Sequence, residues 1–190
     1  MSIKRCNWVS DDPVYIAYHD EEWGVPVHDE QRLFEFLILE TFQAGLSWIT
    51  ILSKRETFRA AFNNFDYKKV ALYDEYKVAS LLQDTGIIRN KLKVKSAISN
   101  AQAFLEVQKE FGSFDNYIWG FVNGKPIQND FSSMTDVPPK TELAELISKD
   151  LKKRGFKFVG PTVVYAHMQA TGMVNDHTTD CFRYKEVQEA

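Results

Sequence analysis

The two cysteines of this 190-residue chain lie near its opposite ends, and each has a histidine close by in the sequence. Cys6 precedes His19, and His177 precedes Cys181 with three residues between them. Two thiolates and two imidazoles form a closed tetrahedral zinc site, which leaves no position for a catalytic water. The alternative is a pair of unrelated buried thiols with histidines nearby by chance, and spacing alone does not decide between the two. A metal ion held by all four residues would be structural and would join the ends of the chain.

A glutamate occupies a position where a core leucine is expected. Glu40 follows Leu33 by seven residues and Leu37 by three, on the apolar stripe of a predicted helix. A buried carboxylate is costly unless a cationic partner or a ligand compensates it. Glu40 could instead pair with a lysine or lie on an exposed face of a rotated helix. Aromatic side chains are more often core, but rings beside a carboxylate also suit a planar cationic ligand, and the neighbouring segments supply Trp8, Tyr15, Tyr18, Trp23, Phe42 and Trp48.

Residues 151–172 are predicted to form a hairpin of two helices joined by a short turn. Pro161 suits the first position of the second helix, so backbone N–H groups near Gly160 and Thr162 would face an anion. The segment resembles the helix-hairpin-helix element that binds DNA phosphates without reading sequence, although a simple αα-corner is the alternative. Two basic groups favour the DNA interpretation. They are Lys149, Lys152, Lys153, Arg154 and Lys157, and Arg89, Lys91, Lys93 and Lys95.

Helical periodicity dominates the chain and strand-type alternation is nearly absent, so an all-α fold is predicted. Residues 1–190 are expected to form one domain of two helical lobes. The predicted helices cover 33–52 with a break at Gly45, 54–62, 67–72, 75–83, 91–111, 114–121 and a segment from 141 to about 154. Residues 125–140 are predicted to be a surface loop. The apolar run 33–52 contains Glu35, Glu40 and Gln43, which are costly in hydrocarbon, so a buried helix explains it better than a membrane span.

The net charge of -3 argues against a large uniform affinity for nucleic acid but permits a local basic face. The first eight residues contain no apolar run of the kind that directs export. We therefore expect a cytoplasmic protein without membrane association, whose cysteines stay reduced and available to a metal.

Several segments together resemble the DNA-3-methyladenine glycosylase I family, over almost the whole chain and in the family's order. They are residues 12–20 (DPVYIAYHD), 22–26 (EWGVP), 39–40 (LE), 43–50 (QAGLSWIT), 86–89 (GIIR), 121–123 (FVN) and 151–161 (LKKRGFKFVGP). The family is a zinc-containing branch of the helix-hairpin-helix DNA glycosylases, which excise alkylated bases in base-excision repair. The resemblance implies a helix-hairpin-helix glycosylase fold with its termini joined by one structural zinc ion, bound by Cys6, His19, His177 and Cys181.

The resemblance also assigns the remaining site residues. It implies that Glu40 is catalytic and that a base pocket contains Glu40, Trp48, Tyr15, Tyr18, Trp8 and Trp23. Contacts to DNA are expected from Gly160, Thr162, Lys157, Gln43, Gly45 and Leu46. Thr41 and Phe42 depart from the small or polar residues expected at those positions. The expected partners are double-stranded alkylated DNA and the 3-methyladenine base, and we expect a monomer.

Many helix-hairpin-helix glycosylases carry a catalytic aspartate in a Val-Asp-x-His arrangement, and the corresponding stretch here is Val174-Asn175-Asp176-His177. Asn175 in place of aspartate is compatible with 3-methyladenine, because methylation at N3 makes the ring cationic and the base leaves as a neutral molecule. Two other functions fit these residues less well. A silent damage-binding protein is disfavoured by the intact pocket residues, and a zinc hydrolase is disfavoured by four protein ligands on one metal.

Overall fold

A computed structural model describes residues 3–189 of the chain. The helices are α1 (Pro13–Glu21), α2 (Glu30–Gln43), α3 (Trp48–Leu52), α4 (Arg55–Ala61), α5 (Tyr67–Val70), α6 (Glu75–Leu81), α7 (Lys91–Phe111), α8 (Phe114–Gly120), α9 (Glu142–Lys153), α10 (Pro161–Ala170) and α11 (Arg183–Glu186). Two 3₁₀ turns cover Asn63–Phe65 and Met134–Asp136. The predicted all-α class is therefore confirmed.

One short sheet interrupts the loop predicted at residues 125–140. β1 (Ile127–Gln128) pairs in parallel with β2 (Val174–Asn175). Its outer hydrogen bonds join Ile127 N–H to the Met173 carbonyl at 2.9 Å and Asn129 N–H to the Asn175 carbonyl at 3.3 Å. Two residues per strand are too few to produce a readable alternation of polar and apolar side chains, so the sequence pattern did not reveal them.

Side-chain caps mark the starts of most of the longer helices. Asp12 accepts the N–H of Val14 at the start of α1, and Asp29 accepts that of Arg32 at the start of α2. These contacts satisfy backbone donors that the first helical turn leaves free. α10 begins differently, because its N-cap is Gly160 and no side chain caps it. Its first turn therefore keeps backbone donors available at the protein surface.

α2 is the central helix of the core. Every residue from Leu33 to Phe42 is buried, and α3, α7, α8 and α10 pack around the helix. The predicted run 33–52 is split at Gly45, whose φ of +83° is one that L side chains rarely adopt. Within residues 3–189, each helix is either too short or too polar to cross a membrane.

α9 and α10 form the hairpin predicted for residues 151–172, with residues 154–160 as its turn. α9 turns Ala144, Ile147 and Leu151 into the core. Its Ser148 hydroxyl donates to the Val159 carbonyl at 2.6 Å, which ties the turn back onto the helix. Thr162 at the start of α10 and Gln43 at the end of α2 line the same cavity.

Candidate functional site

A cavity of about 580 Å³ opens between the N-terminal segment, α1, α2, α3 and α10. All six residues predicted for the base pocket line it: Trp8, Tyr15, Tyr18, Trp23, Glu40 and Trp48. Gln43, Gly45 and Thr162, which were predicted to contact DNA, also lie on its wall. Met134, Val163, Ala166 and Gln169 complete the wall with Ala44 and were not predicted. One compact site therefore collects residues that are up to 161 positions apart, from Trp8 to Gln169.

Aromatic rings form one side of this cavity. Trp8 contacts Tyr15 and Trp23 edge to face, with ring centroids 5.1 Å apart in both pairs. Tyr18 lies against Trp48 at 5.6 Å. Burial raises the pKa of Tyr15 and of Tyr18, so both phenols keep their protons and can donate hydrogen bonds. The cavity can hold a flat molecule between ring faces.

Glu40 is the acidic residue in the wall of this cavity. Its side chain is only 4% exposed, which excludes the rotated-helix alternative. No lysine or arginine among residues 3–189 pairs with it, so the lysine alternative fails as well. Burial alone raises the pKa of Glu40 to about 8. A cationic ligand in the cavity would favour the carboxylate form and offset that cost.

Two indole donors in the same cavity also lack partners. Trp8 Nε1 and Trp48 Nε1 are buried and make no hydrogen bond within the described part of the chain. Buried polar atoms are normally satisfied, and exceptions often mark functional positions. Both nitrogens are covered by the cavity wall itself, so the acid that the cavity offers to a planar ligand is Glu40.

An ion-pair network that the sequence did not reveal fixes two walls of the cavity. Arg55 of α4 donates from Nε to Glu35 of α2 at 2.6 Å and from Nη1 to Glu22, just after α1, at 2.8 Å. Arg55 is 7% exposed, so removing either carboxylate would leave its buried charge with only one partner. The network ties the helix that carries Tyr15 and Tyr18 to the helix that carries Glu40.

The two cysteines and two histidines from the chain ends meet in one buried cluster. The ligand atoms of Cys6, His19, His177 and Cys181 lie within 4.8 Å of one another. Cys6 Sγ is 3.5 Å from His177 Nδ1, and Cys181 Sγ is 3.5 Å from His19 Nε2. A tetrahedral zinc with its usual bond lengths places sulfur and nitrogen ligands about 3.5 Å apart. The cluster therefore fits zinc in both donor type and spacing.

The far ring nitrogens of both histidines are also held. His19 Nδ1 is 2.7 Å from Asp20 Oδ1, and Arg5 holds that carboxylate through a contact of 2.6 Å. His177 Nε2 is 2.9 Å from the Trp23 carbonyl. Acceptors at these positions fix the tautomer that turns the other nitrogen toward a metal. Trp23 also lines the cavity, so the cluster and the cavity share a wall.

The junction between α2 and α3 carries Gln43, the last residue of α2, and Gly45 and Leu46 of the loop, all predicted to contact DNA. It closes on itself, since Gln43 Nε2 donates to the Leu46 carbonyl at 2.6 Å. Leu46 stands at the surface beside the cavity with 37% of its side chain exposed. Lys93 of α7 supports the loop from below, because its Nζ donates to the carbonyls of Phe42 at 2.8 Å and Ala44 at 2.6 Å. Lys93 is therefore a buried cap of α2 and not part of a free basic surface.

The hairpin turn is held by Asn100 of α7. Asn100 Oδ1 accepts the Lys157 N–H at 2.7 Å, and its Nδ2 donates to the Lys157 carbonyl at 3.1 Å. The Lys157 side chain is exposed, and the following residue, Phe158, has a φ of +56°. The cavity wall includes Thr162. Lys157 and Gly160 precede Thr162 in the hairpin and do not line the cavity.

The two basic groups are smaller than the sequence indicated. Arg154 is paired with Asp150 and with Glu110, each at 2.7 Å. Lys95 is paired with Glu75 at 2.7 Å. Of these two groups, the members that make no ion pair within residues 3–189 and stay on the surface are Lys149, Lys152, Lys153 and Lys157 near the hairpin, and Arg89 and Lys91 at the start of α7.

Three further residues singled out in the sequence serve the core. Asn175 is 1% exposed, donates to Gln128 Oε1 at 2.8 Å and to the Tyr184 carbonyl at 3.0 Å, and does not line the cavity. Phe42 packs against Phe58 with centroids 5.0 Å apart. The Thr41 hydroxyl donates back to the Ile38 carbonyl at 2.7 Å. Thr41 and Phe42 therefore lie in the core and do not shape the cavity mouth.

Comparison with known proteins relates most of the chain to one family. A profile of the methyladenine glycosylase family matches residues 8–184. The chain is 50% identical over 182 residues to DNA-3-methyladenine glycosylase 1 of Escherichia coli K12, covering 96% of this chain and 97% of that one. A structure that describes 3-methyladenine recognition by the Staphylococcus aureus glycosylase I superposes with a TM-score of 0.92 at 37% identity, covering 96% and 97% of the two chains. A further crystal structure of 3-methyladenine DNA glycosylase I gives a TM-score of 0.92 at 52% identity, with 94% of this chain and 98% of that one covered. This chain belongs to the methyladenine glycosylase family.

Proposed function

We propose that this protein is a base-excision repair enzyme that hydrolyses the N-glycosidic bond of 3-methyladenine in alkylated DNA. The products are the free base and an abasic site. The observation that carries the proposal is the buried, unpaired carboxylate of Glu40 in a cavity walled by indole and phenol rings. The named relatives of this chain are glycosylases that act on the same base.

Access to the glycosidic bond requires that the nucleotide leave the duplex. The base would turn out of the stack into the cavity, as in other enzymes that act on bases. Trp48 offers a ring face for stacking, and Glu40 offers acceptors for the exocyclic amino group. Methylation at N3 places a positive charge on the ring, which attracts both a carboxylate and ring faces by about 0.5–2 kcal/mol for each desolvated ring contact. Neutral adenine lacks that attraction and is disfavoured.

The protein does not need a general acid to cleave this glycosidic bond. A cationic base leaves as a neutral molecule, so no group has to protonate it. This fits Asn175, whose amide is committed to Gln128 and Tyr184 and supplies no carboxylate to the cavity. The carboxylate form of Glu40 would face the positive charge of the bound base and would stabilise the charged base electrostatically in the cavity.

Cys6, His19, His177 and Cys181 would hold one zinc ion, whose contribution is structural because four protein ligands complete its shell. The site would anchor the N-terminal segment with Trp8 and the end of α1 against the C-terminal residues. It would thereby fix one aromatic wall of the cavity.

Two surface elements beside the cavity would bind the DNA. The uncapped start of α10 at Gly160 and Thr162, with the exposed ammonium of Lys157, suits backbone phosphates. Gln43, Gly45 and Leu46 protrude on the other side of the opening and suit the strand from which the base has left. A monomer that works in the cytoplasm is the simplest form of this enzyme.

The decisive experiment is incubation of the purified protein with methylated double-stranded DNA, followed by chromatography of the released bases. Release of 3-methyladenine is expected, with no release of adenine from unmethylated DNA. A silent damage-binding protein would retain methylated DNA without releasing a base, and a zinc hydrolase would show no dependence on DNA methylation. Either result would refute the proposed function.

A further inference from the structure

Gln169 is a cavity residue that neither the sequence pattern nor the chemistry above uses. It lies on α10, on the same wall as Thr162, Val163 and Ala166. Seven residues of helix separate it from Thr162, which places it about 10 Å deeper along the helix axis. Its backbone carbonyl accepts the Gly24 N–H at 3.0 Å, next to Trp23. Gln169 therefore belongs to the floor of the cavity, away from the mouth at the start of α10.

A buried carboxylate holds the Gln169 side chain. Asp176 is 1% exposed, and its Oδ2 accepts from Gln169 Nε2 at 2.8 Å and from the Tyr165 hydroxyl at 2.6 Å. Its Oδ1 accepts from Asn129 Nδ2 at 2.7 Å. Burial raises the pKa of Tyr165, so this phenol remains a donor across the physiological range. Three donors thus converge on one carboxylate, which compensates its burial.

This arrangement fixes which way the Gln169 amide faces. Both oxygens of Asp176 already act as acceptors, Oδ2 for the Tyr165 hydroxyl and Oδ1 for Asn129 Nδ2. Gln169 must therefore present its NH₂ group to Asp176, and its carbonyl oxygen, Oε1, is turned to the opposite side. Within residues 3–189 no donor reaches Oε1, and the cavity is the pocket that Gln169 lines. The floor of the cavity thus carries an oriented neutral acceptor in addition to the acid of Glu40.

We propose that Gln169 is a specificity-determining residue, which reads the exocyclic amino group of the bound base through its carbonyl oxygen. The proposal rests on the function proposed above and adds a second acceptor to it. A 6-amino purine has two N–H donors on that group, one for Glu40 and one for Gln169. A 6-oxo purine presents an oxygen at the same position, which would oppose Oε1 and leave it unsatisfied. Asp176 and Tyr165 act as positioning residues, since they hold the amide but do not touch the base.

A role in orienting the attacking water is disfavoured by the same geometry. The sugar remains with the backbone phosphates at the mouth of the cavity, beside Thr162. Gln169 is two helical turns deeper, where the far edge of a flipped base would lie. Its effect should therefore appear in the choice of base and in the affinity for the free base.

The test compares binding of free 3-methyladenine with binding of free 3-methylhypoxanthine, the 6-oxo counterpart, by titration of tryptophan fluorescence. Gln169→Met has nearly the same volume and removes the acceptor. We expect its affinity for 3-methyladenine to fall about 3- to 10-fold, the usual worth of one hydrogen bond. Affinity for the 6-oxo base should stay equal or rise, so that the ratio of the two affinities falls about 10-fold. Tyr165→Phe, which frees the amide, should lower the ratio less.

Gln83→Met is the matched control, because Gln83 is exposed and lies outside the cavity wall. If Gln169→Met fails to fold, Gln169→Ala takes its place and the same ratio is measured. An unchanged ratio in a folded Gln169 variant would overturn the proposal while leaving the proposed function intact. A wild-type protein that neither binds 3-methyladenine nor releases it from methylated DNA would overturn both.

Discussion

Lys93 and Asn100 lie on the same face of α7, seven residues apart, and each holds one of the two loops proposed to meet DNA. Lys93 donates to the carbonyls of Phe42 and Ala44 below the loop between α2 and α3. Asn100 forms hydrogen bonds with both the N–H and the carbonyl of Lys157 in the hairpin turn. Because residues seven apart on a helix are about two turns apart, one rigid helix sets the spacing between both loops.

Lys93→Met is expected to loosen the loop between α2 and α3. The substitution leaves two carbonyls at the end of α2 without a donor, at a cost of about 1–3 kcal/mol in the free energy of unfolding. Urea denaturation measures that loss, and DNA titration should show weaker binding as well. Lys91→Met removes the same charge from an exposed lysine of α7 and serves as the control. Equal stability of the two variants would contradict the proposed support.

The hairpin should bind DNA through phosphates. Affinity for undamaged DNA is then expected to fall steeply with salt, and Lys157→Glu should weaken binding to all sequences alike and reduce the salt slope. Lys125→Glu makes the same change of charge at an exposed lysine away from the hairpin and should have a smaller effect. Binding that is independent of salt, or a loss confined to particular sequences, would argue against phosphate contacts.

The sequence alone predicts which residues belong to a functional site when burial of their side chains would be costly. Glu40 interrupts an apolar stripe, and Cys6 and Cys181 with their histidines are a complete ligand set, so each pointed to a site by its chemistry. Pairings across the fold could not be predicted. Arg55 forms an ion pair with Glu35, twenty positions away, and Lys93 donates a hydrogen bond to the Phe42 carbonyl, 51 positions away. Such contacts depend on how helices pack, which spacing within one helix does not encode.

The sequence around Lys93 does contain a signal of a buried amine. Lys93 stands in a run of cations with Arg89 and Lys91, but it shares a helical face with Ala97 and Asn100, both of which are fully buried. A lysine on the apolar face of a helix indicates a buried amine with backbone partners. Lys93 thus differs from the surface bases as Glu40 differs from the surface acids, because each interrupts the apolar face of its helix.

Elemental analysis of the native protein is expected to find one zinc ion per chain. Cys181→Ala should lose metal and lower the free energy of unfolding, because metal binding at such sites contributes directly to folding. Single-turnover excision by the fraction that remains folded should keep its rate, since the four ligands leave no position for a reacting water. A metal-free native protein of normal stability would contradict this assignment.

Glu40→Gln should keep the fold and the affinity for undamaged DNA but slow the excision of 3-methyladenine. It should also weaken binding of the free base, which is neutral, because an amide accepts a hydrogen bond from the exocyclic amino group less strongly than a carboxylate does. Trp48→Ala should reduce base affinity by on the order of 1–3 kcal/mol through loss of the stacking surface. Single-turnover kinetics on methylated DNA and titration of the free base provide the measurements. Unchanged rates and affinities in Glu40→Gln would place recognition elsewhere.

The same substitution should stabilise the empty protein in a pH-dependent way. Burial raises the pKa of Glu40 to about 8 from an ordinary 4.5, so between these values the folded state binds more protons than the unfolded state. The Glu40 contribution to the free energy of unfolding therefore falls as pH rises through this window, by at most about 1.4 kcal/mol per pH unit. Glu40→Gln removes this loss, because an amide resembles the protonated acid at every pH.

Its advantage over the wild type should be small near pH 5 and reach the order of 3 kcal/mol near pH 8. Denaturation of both proteins at the two pH values measures the difference, and contributions from the histidines and the metal ligands cancel in it. Glu106→Gln, at an exposed glutamate, should show no such trend. If the two stability curves ran parallel from pH 5 to pH 8, Glu40 would be ionised in the empty cavity, and a compensating cation would have to exist there.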